Sequence, residues 1–279
     1  MRGALLEKKL LEMVSEDMHF SDITTAFTPD KKVVAEVIAR QEGIVSGIEE
    51  LIVLFKAFGI AAVAKKKDGE KIKKDETIFV LKGSSRDILT VERTALNLLS
   101  RMSGISTLTK KYVDAARKSN PKIKVAATRK TTPLIAFFEK KAVKIGGGDT
   151  HRLSLEDEVL IKNNHLKMFK SVRDAIEIGK KETSFAHKIE IEVRDKDDAV
   201  TASLVGADII LLDNMKPAEI KATVALLEGK KLRSRVLLEA SGGINLENIG
   251  EYAKSGADVL SVGALTHSAQ SLNINLRIK

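Results

Sequence analysis

The 279-residue sequence predicts an α/β protein in which a small α+β domain precedes an α/β barrel. Three observations carry this. From Lys31 to Leu81, short alternating or β-rich segments surround one helical stretch. After Lys122, a unit of apolar strand, polar strand end and helix recurs six times, and near-continuous apolar strands of this kind need cover on both faces and helical crossovers. No GxGxxG follows the first strand, so a closed barrel is preferred to an open doubly wound sheet.

Taken in order, MRGALLEKKLLEMVSED reads as an amphipathic helix, because Glu7, Glu12, Glu16 and Asp17 interrupt its apolar positions; it is not a signal peptide. KVVAEVIAR, GIAAVA and TIFVLKG read as strands, and GIEELIVLFKAFG as a helix ended by Gly59. In the basic run KKKDGEKIKK, Asp68-Gly69 predicts the solvated tip of a two-residue hairpin. A helix is expected from Ser85 to about Met102, with Ile88, Leu89, Leu96 and Leu99 on its apolar face. Residues 1–103, joined by 270–279, are expected to form the first domain and 104–269 the barrel.

The barrel strands are KVAATR, EVLIKNNH, KIEIEVR, DIILLDN, RVLLEASGG and DVLSVGA, with KKAVKIGGG a weaker seventh. SVRDAIEIGKKE, KDDAVTASLVGA, KPAEIKATVALLE and NLENIGEYAKSGA supply the crossover helices.

Composition excludes several classes of function. There are no cysteines, hence no disulfides or thiolate chemistry, which is compatible with the expected cytoplasmic location. The formal charge of +9 is dispersed, and nine Phe, two Tyr and no Trp make a base-stacking platform an unlikely construction, so neither nucleic acid nor membrane is expected as a partner. No HExxH or Ser-His-Asp spacing favours a hydrolase.

The chemistry concentrates between Thr128 and His165, where TRKTTP, KIGGGDTHR and LIKNNH bring Arg129, Lys130, Lys144, His151, Arg152, Lys162 and His165 into one stretch. Cations interrupted by glycines at strand ends describe a pocket for a small polyanion bearing carboxylates or phosphates. In an α/β barrel, functional groups collect at the C-terminal strand ends. Read in order, those ends carry cations first, then Glu190, Glu192 and Asp213, then Ser241, Gly242, Gly243 and Gly263. The glycine ends admit close approach of backbone amides to a phosphate, with helix N-termini behind them; tight turns alone are the plainer alternative. Glu192 and Asp213 are candidates to meet magnesium, directly or through water, or else to pair with neighbouring cations; no residue is assigned as a certain metal ligand. His165 and His267 read as caps, and His19 and His187 have no supporting context.

Together with ERTALNLLSRMSGISTLT, these motifs and IEIEV, LLDN, EASGGI and SVGALTHS closely resemble the quinolinate phosphoribosyltransferase family, in the same order over nearly the whole chain. The resemblance implies a type II phosphoribosyltransferase: an N-terminal α+β sandwich followed by an incomplete barrel of about seven strands. It implies transfer of phosphoribosyl from phosphoribosyl pyrophosphate to quinolinate with decarboxylation, assisted by Mg2+, in a homodimer with shared sites. Carried over by position, Arg93, Arg129, Lys130, His151, Arg152 and Lys162 match the quinolinate pocket, with Arg93 contributed across the dimer. Glu192 and Asp213 match the acidic pair near the ribose, Lys130 joins them as a catalytic candidate, and Ser241, Gly242, Gly243 and Gly263 match the phosphate loops. One departure is Asn163, where the family usually has aspartate. Relatives with another acceptor, linked to molybdenum transport, and a non-catalytic anion-binding module are the alternatives.

Overall fold

The computed structural model describes all 279 residues. The chain begins with α1 (Ala4–Met18), α2 (Ile23–Phe27), β1 (Lys32–Ala39), β2 (Gly43–Ile44), α3 (Ile48–Ala57), β3 (Ala61–Ala64), β4 (Lys71–Ile72) and β5 (Thr77–Ser84). It continues with α4 (Ser85–Ser119), β6 (Lys124–Ala126), α5 (Ala136–Ile145), β7 (Val159–Ile161), α6 (Asn163–Leu166), α7 (Val172–Glu182), β8 (Ile189–Val193) and α8 (Lys196–Val205). The remainder is β9 (Ile209–Asp213), α9 (Pro217–Gly229), a 3-10 turn at Arg233–Arg235, β10 (Leu237–Ser241), α10 (Ile249–Ala253), β11 (Val259–Ser261), α11 (Ala264–His267) and β12 (Ile274–Ile278). Two compact units emerge, one of residues 1–110, 132–147 and 268–279, the other of 111–131 and 148–267. Relative to the expected division at 103/104, residues 132–147 group with the first unit.

The first unit is built on an antiparallel sheet of order β12-β1-β5-β3. Helix α1 buries Leu6, Leu10 and Val14, a stripe at four-residue spacing, as its sequence pattern requires. Asp68-Gly69 does not join a hairpin: β3 pairs with β5, while β4 pairs with β2. Asp68 Oδ1 instead accepts from the N–H groups of Gly47 and Ile48 at 2.8 and 2.9 Å, capping α3 from a distant loop. Local turn chemistry was right, but a cap worth about 1 kcal/mol took the side chain.

Helix α4 runs to Ser119 and not to about Met102. Gly104 lies inside it, and glycine is required there because a Cβ would come within 2.0 Å of the Gln270 carbonyl oxygen. KKAVKIGGG is also not a strand. It forms the end of α5, whose Phe138, Ala142 and Val143 are buried at helical spacing, and its β-branched residues mislead. Glu139, 0% exposed, fastens α5 by accepting from Arg101 Nε and Nη2 at 3.0 and 2.8 Å and from Thr132 N at 2.9 Å.

In the second unit all six expected strands form, in the parallel order β6-β11-β10-β9-β8-β7. Helices α7, α8 and α9 cover them; NLENIGEYAKSGA yields only the five residues of α10. This is the incomplete barrel that the resemblance implies and not the closed one that the strand pattern alone suggests: β6 and β7 are unpaired edges, and the seventh-strand position is reduced to a single bridge, Ala126 to Asp149. The sheet nevertheless curls. Flat, it would hold its edges about 24 Å apart, yet both edges supply residues to one cavity.

Candidate active site

The cavity, about 390 Å³, opens at the C-terminal strand ends of the second unit. After β6 come Ala127, Thr128, Arg129 and Lys130; after the Asp149 bridge, His151 and Arg152; from β7, Leu160 and Lys162. Glu192 comes from β8, Leu211 and Asp213 from β9, Glu239 and Ser241 from β10, and Ser261 from β11. Alternation explains the choice, since residues two apart on a strand face the same side. Parallel register sets Glu192 beside Leu211 and Leu211 beside Glu239, with Ser241 beside Asp213 and Ser261 one step further along.

The cations divide by burial. Arg129, Lys130 and Lys162 are exposed, whereas Arg152 is buried. The Lys130 carbonyl accepts from Thr266 Oγ1 at 2.8 Å, fixing the backbone that carries the lysine. Lys162 precedes α6, and its N–H donates to His165 Nδ1 at 3.0 Å, so His165 is a cap as expected. Lys144 lies on α5 in the first unit and is not among the residues lining the cavity. Arg93 is an exposed residue of α4 and is likewise not part of that lining.

Asn163 lies between the two candidate carboxylates. Its Nδ2 donates to Glu192 Oε1 and stands 3.5 Å from Asp213 Oδ2, while Asn214 Nδ2 donates to Asp213 Oδ1 at 2.9 Å. Burial pushes the Glu192 carboxyl above its usual range, repulsion from Asp213 adds to this, and Lys162 opposes it. The amide already fills oxygens that a directly bound cation would need. The pair therefore fits a hydrated magnesium ion met through water better than a direct cage.

The glycines behave differently from one another. Gly242 and Gly243 have φ of 100° and 63°, and a Cβ on Gly242 would approach Asn214 Oδ1 to 2.2 Å. Gly243 has open space around that position, as a surface offered to a ligand would. Gly263 sits between Lys130 Cδ and His267 Nε2, 3.1 and 3.0 Å from its Cβ position. The helices beyond these loops are only five and four residues long, so the expected dipole contribution is small and an anion there would rest on backbone N–H groups.

Beneath the cations lies a layer of which the sequence reading named only His151 and Glu190. His151, at φ 52°, directs Nε2 to Glu239 Oε2 at 3.1 Å and Glu190 Oε2 at 3.5 Å, and Nδ1 to Glu158 Oε1 at 3.2 Å. Glu190 is 0% exposed, and as a carboxylate neither of its oxygens finds a hydrogen-bond donor. Burial first, then Glu239 and Glu158, push its pKa to about 10, so at neutral pH it keeps a proton that it can donate to Glu158. One ligand atom from each of His151, Glu158 and Glu190 lies within 4.8 Å of the others, but the layer already holds that proton and has Arg152 acting on Glu190. Glu158, Glu239 and Ser261 lie within the segments EVLIKNNH, EASGGI and SVGALTHS but have no role assigned there. For Glu239 and Ser261 the one signal is a polar residue inside an otherwise apolar strand, as in VLLEAS and DVLSV; Glu158, just ahead of β7, has none.

Two family models match the chain: quinolinate phosphoribosyl transferase, N-terminal domain, over residues 22–103, and the C-terminal domain of the same enzyme over 105–277. A relative from Methanothermobacter thermautotrophicus, called a probable nicotinate-nucleotide pyrophosphorylase (carboxylating), is 46% identical over 270 residues, 96% of this chain and 97% of its own. One of the same description from Archaeoglobus fulgidus is 44% identical over 94% of this chain and 99% of its own. Among solved structures, the nicotinate-nucleotide pyrophosphorylase from Francisella tularensis superposes with TM-score 0.91 at 33% identity, covering 100% of this chain and 98% of that one.

Proposed function

The chain belongs to the quinolinate phosphoribosyltransferase family, and we propose that the cavity at the strand ends of its second unit is where that family's reaction takes place. The enzyme transfers phosphoribosyl from phosphoribosyl pyrophosphate to quinolinate, giving nicotinate mononucleotide, pyrophosphate and carbon dioxide in NAD biosynthesis. The observation that supports this assignment of the site is the meeting of Arg129, Lys130, Arg152 and Lys162 with Glu192, Asp213 and Ser241 around one cavity.

Quinolinate carries two adjacent carboxylates that lose their hydration on entering. Charge-assisted contacts from the four cations offset that loss and turn the ring nitrogen toward the ribose. Ser241, Gly242, Gly243 and Gly263 hold the 5-phosphate by backbone N–H groups. Glu192 and Asp213 hold ribose hydroxyls and face the positive charge that develops as pyrophosphate leaves. Asn163, donating to the pair, keeps the two carboxylates together. Glu192 and Asp213 would be the residues to meet, through water, a magnesium ion bound with phosphoribosyl pyrophosphate, and that ion would supply charge neutralisation for the leaving pyrophosphate.

After transfer the ring nitrogen is positive, and the neighbouring ring carbon holds the electron pair left when its carboxylate departs as carbon dioxide, then takes up one proton to give nicotinate mononucleotide. Lys130 and Lys162, both lining the cavity, are the candidates to lie beside that carboxylate. Two copies of the chain form the working enzyme, Arg93 of the partner subunit reaching the acceptor. A cytoplasmic location fits a chain with no cysteine and no helix long and apolar enough to cross a membrane.

The test is turnover with phosphoribosyl pyrophosphate and magnesium against quinolinate, nicotinate and nicotinamide. Carbon dioxide and nicotinate mononucleotide should form from quinolinate alone; equal use of nicotinate, without carbon dioxide, would overturn the reading.

A further inference from the structure

His151 lines the cavity, but both of its ring nitrogens face protein groups. Nδ1 accepts the backbone N–H of Arg152 at 2.7 Å, so in the neutral ring the proton sits on Nε2, which points at Glu239 Oε2, 3.1 Å away. Glu239 is 2% exposed, and its other oxygen accepts from Ser261 Oγ on the neighbouring strand β11. These bonds form a line running from β11 through Glu239 on β10 and the His151 ring to the backbone of Arg152. That line ends in the segment after the lone Asp149 bridge, which no strand ladder secures. His151 itself holds a left-handed φ of 52°, a conformation that needs outside support in a residue with a side chain.

We propose that Glu239, anchored by Ser261, is a positioning residue for acceptor binding: it fixes the tautomer and orientation of His151, and through His151 the place of Arg152 in the cavity. The inference rests on the reading that Arg152 binds the quinolinate carboxylates. It changes the role of His151 from a direct ligand contact to a pin. The nearest functional parallel is the partner that orients a working histidine by accepting from one nitrogen while the other does its task.

The test is a double-mutant cycle read by quinolinate calorimetry and steady-state kinetics on the full chain. Glu239→Ala should weaken quinolinate binding about tenfold or more, with kcat and the KM for phosphoribosyl pyrophosphate within about threefold. Glu239→Gln can still accept from Nε2 through its carbonyl while its amide donates to Ser261 Oγ, and should restore binding to within about threefold of wild type. If Glu239 acts through Arg152, adding Glu239→Ala to Arg152→Ala should cost less than about twofold more. Ser261→Ala, which keeps the carboxylate, gives the same pattern at smaller amplitude should Glu239→Ala not fold. Full additivity in the Arg152→Ala background, equal loss of both substrates, or no effect of either substitution would overturn the proposal. Failure of wild type to bind quinolinate would instead overturn the assignment of the site on which it stands.

Discussion

Glu139 in the first unit and Glu190 in the second are both 0% exposed, yet their surroundings are opposite. Glu139 meets a guanidinium, a backbone N–H and the Thr132 hydroxyl, so its charge is fully answered. Glu190 faces two further carboxylates and receives no hydrogen bond, His151 Nε2 standing 3.5 Å away, and it keeps its proton up to about pH 10. Burial alone does not separate the two. What separates them is whether the fold supplies partners to the group or withholds them, and the group without partners lies beneath the cavity at the strand ends.

The largest effect expected from this contrast is on the answered side. Arg101→Ala should leave Glu139 charged and buried without its main partner, costing about 3–5 kcal/mol in urea unfolding. A loss below about 1 kcal/mol would mean that Glu139 is not held as described. On the cavity side, Arg129 is exposed, so Arg129→Ala should leave stability within about 0.5 kcal/mol while lowering kcat/KM for quinolinate by about thirtyfold or more. A variant within about threefold of wild type would remove Arg129 from the pocket.

Glu190→Gln probes the contrast directly. A carboxyl whose folded pKa is raised binds more protons in the native than in the unfolded state between about pH 4.5 and 10. Its burial therefore weighs against folding increasingly as pH rises through that window. Relative to wild type, the glutamine variant should gain stability with pH by up to about 1.4 kcal/mol per unit, measured by urea unfolding at pH 6 and pH 8. A flat difference would show that Glu190 is ionised in the native state. The smallest effect is expected from Asn163→Asp, which exchanges the donor between Glu192 and Asp213 for a third acceptor. Quinolinate should bind no more tightly at neutral pH; clear tightening would contradict a pocket governed by its net positive charge.

Much of this was legible from the sequence where one physical demand governed a segment. The six parallel strands declare themselves because apolar runs covered on both faces have few other uses, and Arg129, Arg152, Lys162, Glu192, Asp213 and Ser241 line one cavity as their strand-end positions imply. Where two demands compete, the reading failed. The helix expected to end at about Met102 runs on through Gly104, a glycine required by the Gln270 backbone, and the β-branched KKAVKI obeys a helical face. Asp68 reads as a turn residue but caps α3. Glu239 and Ser261 were overlooked for another reason. Their importance lies in what faces them across the sheet, and no spacing along the chain records that.

The gap between β6 and β7 has a consequence for solution behaviour. Strand amides in β8, β9 and β10 are locked by neighbours on both sides, whereas residues 150–158 have no ladder beside them. Deuterium should therefore enter that stretch orders of magnitude sooner than the central strands. Since it carries His151 and Arg152, its uptake would slow on saturation with acceptor, turning an imperfection of closure into a built-in reporter of occupancy.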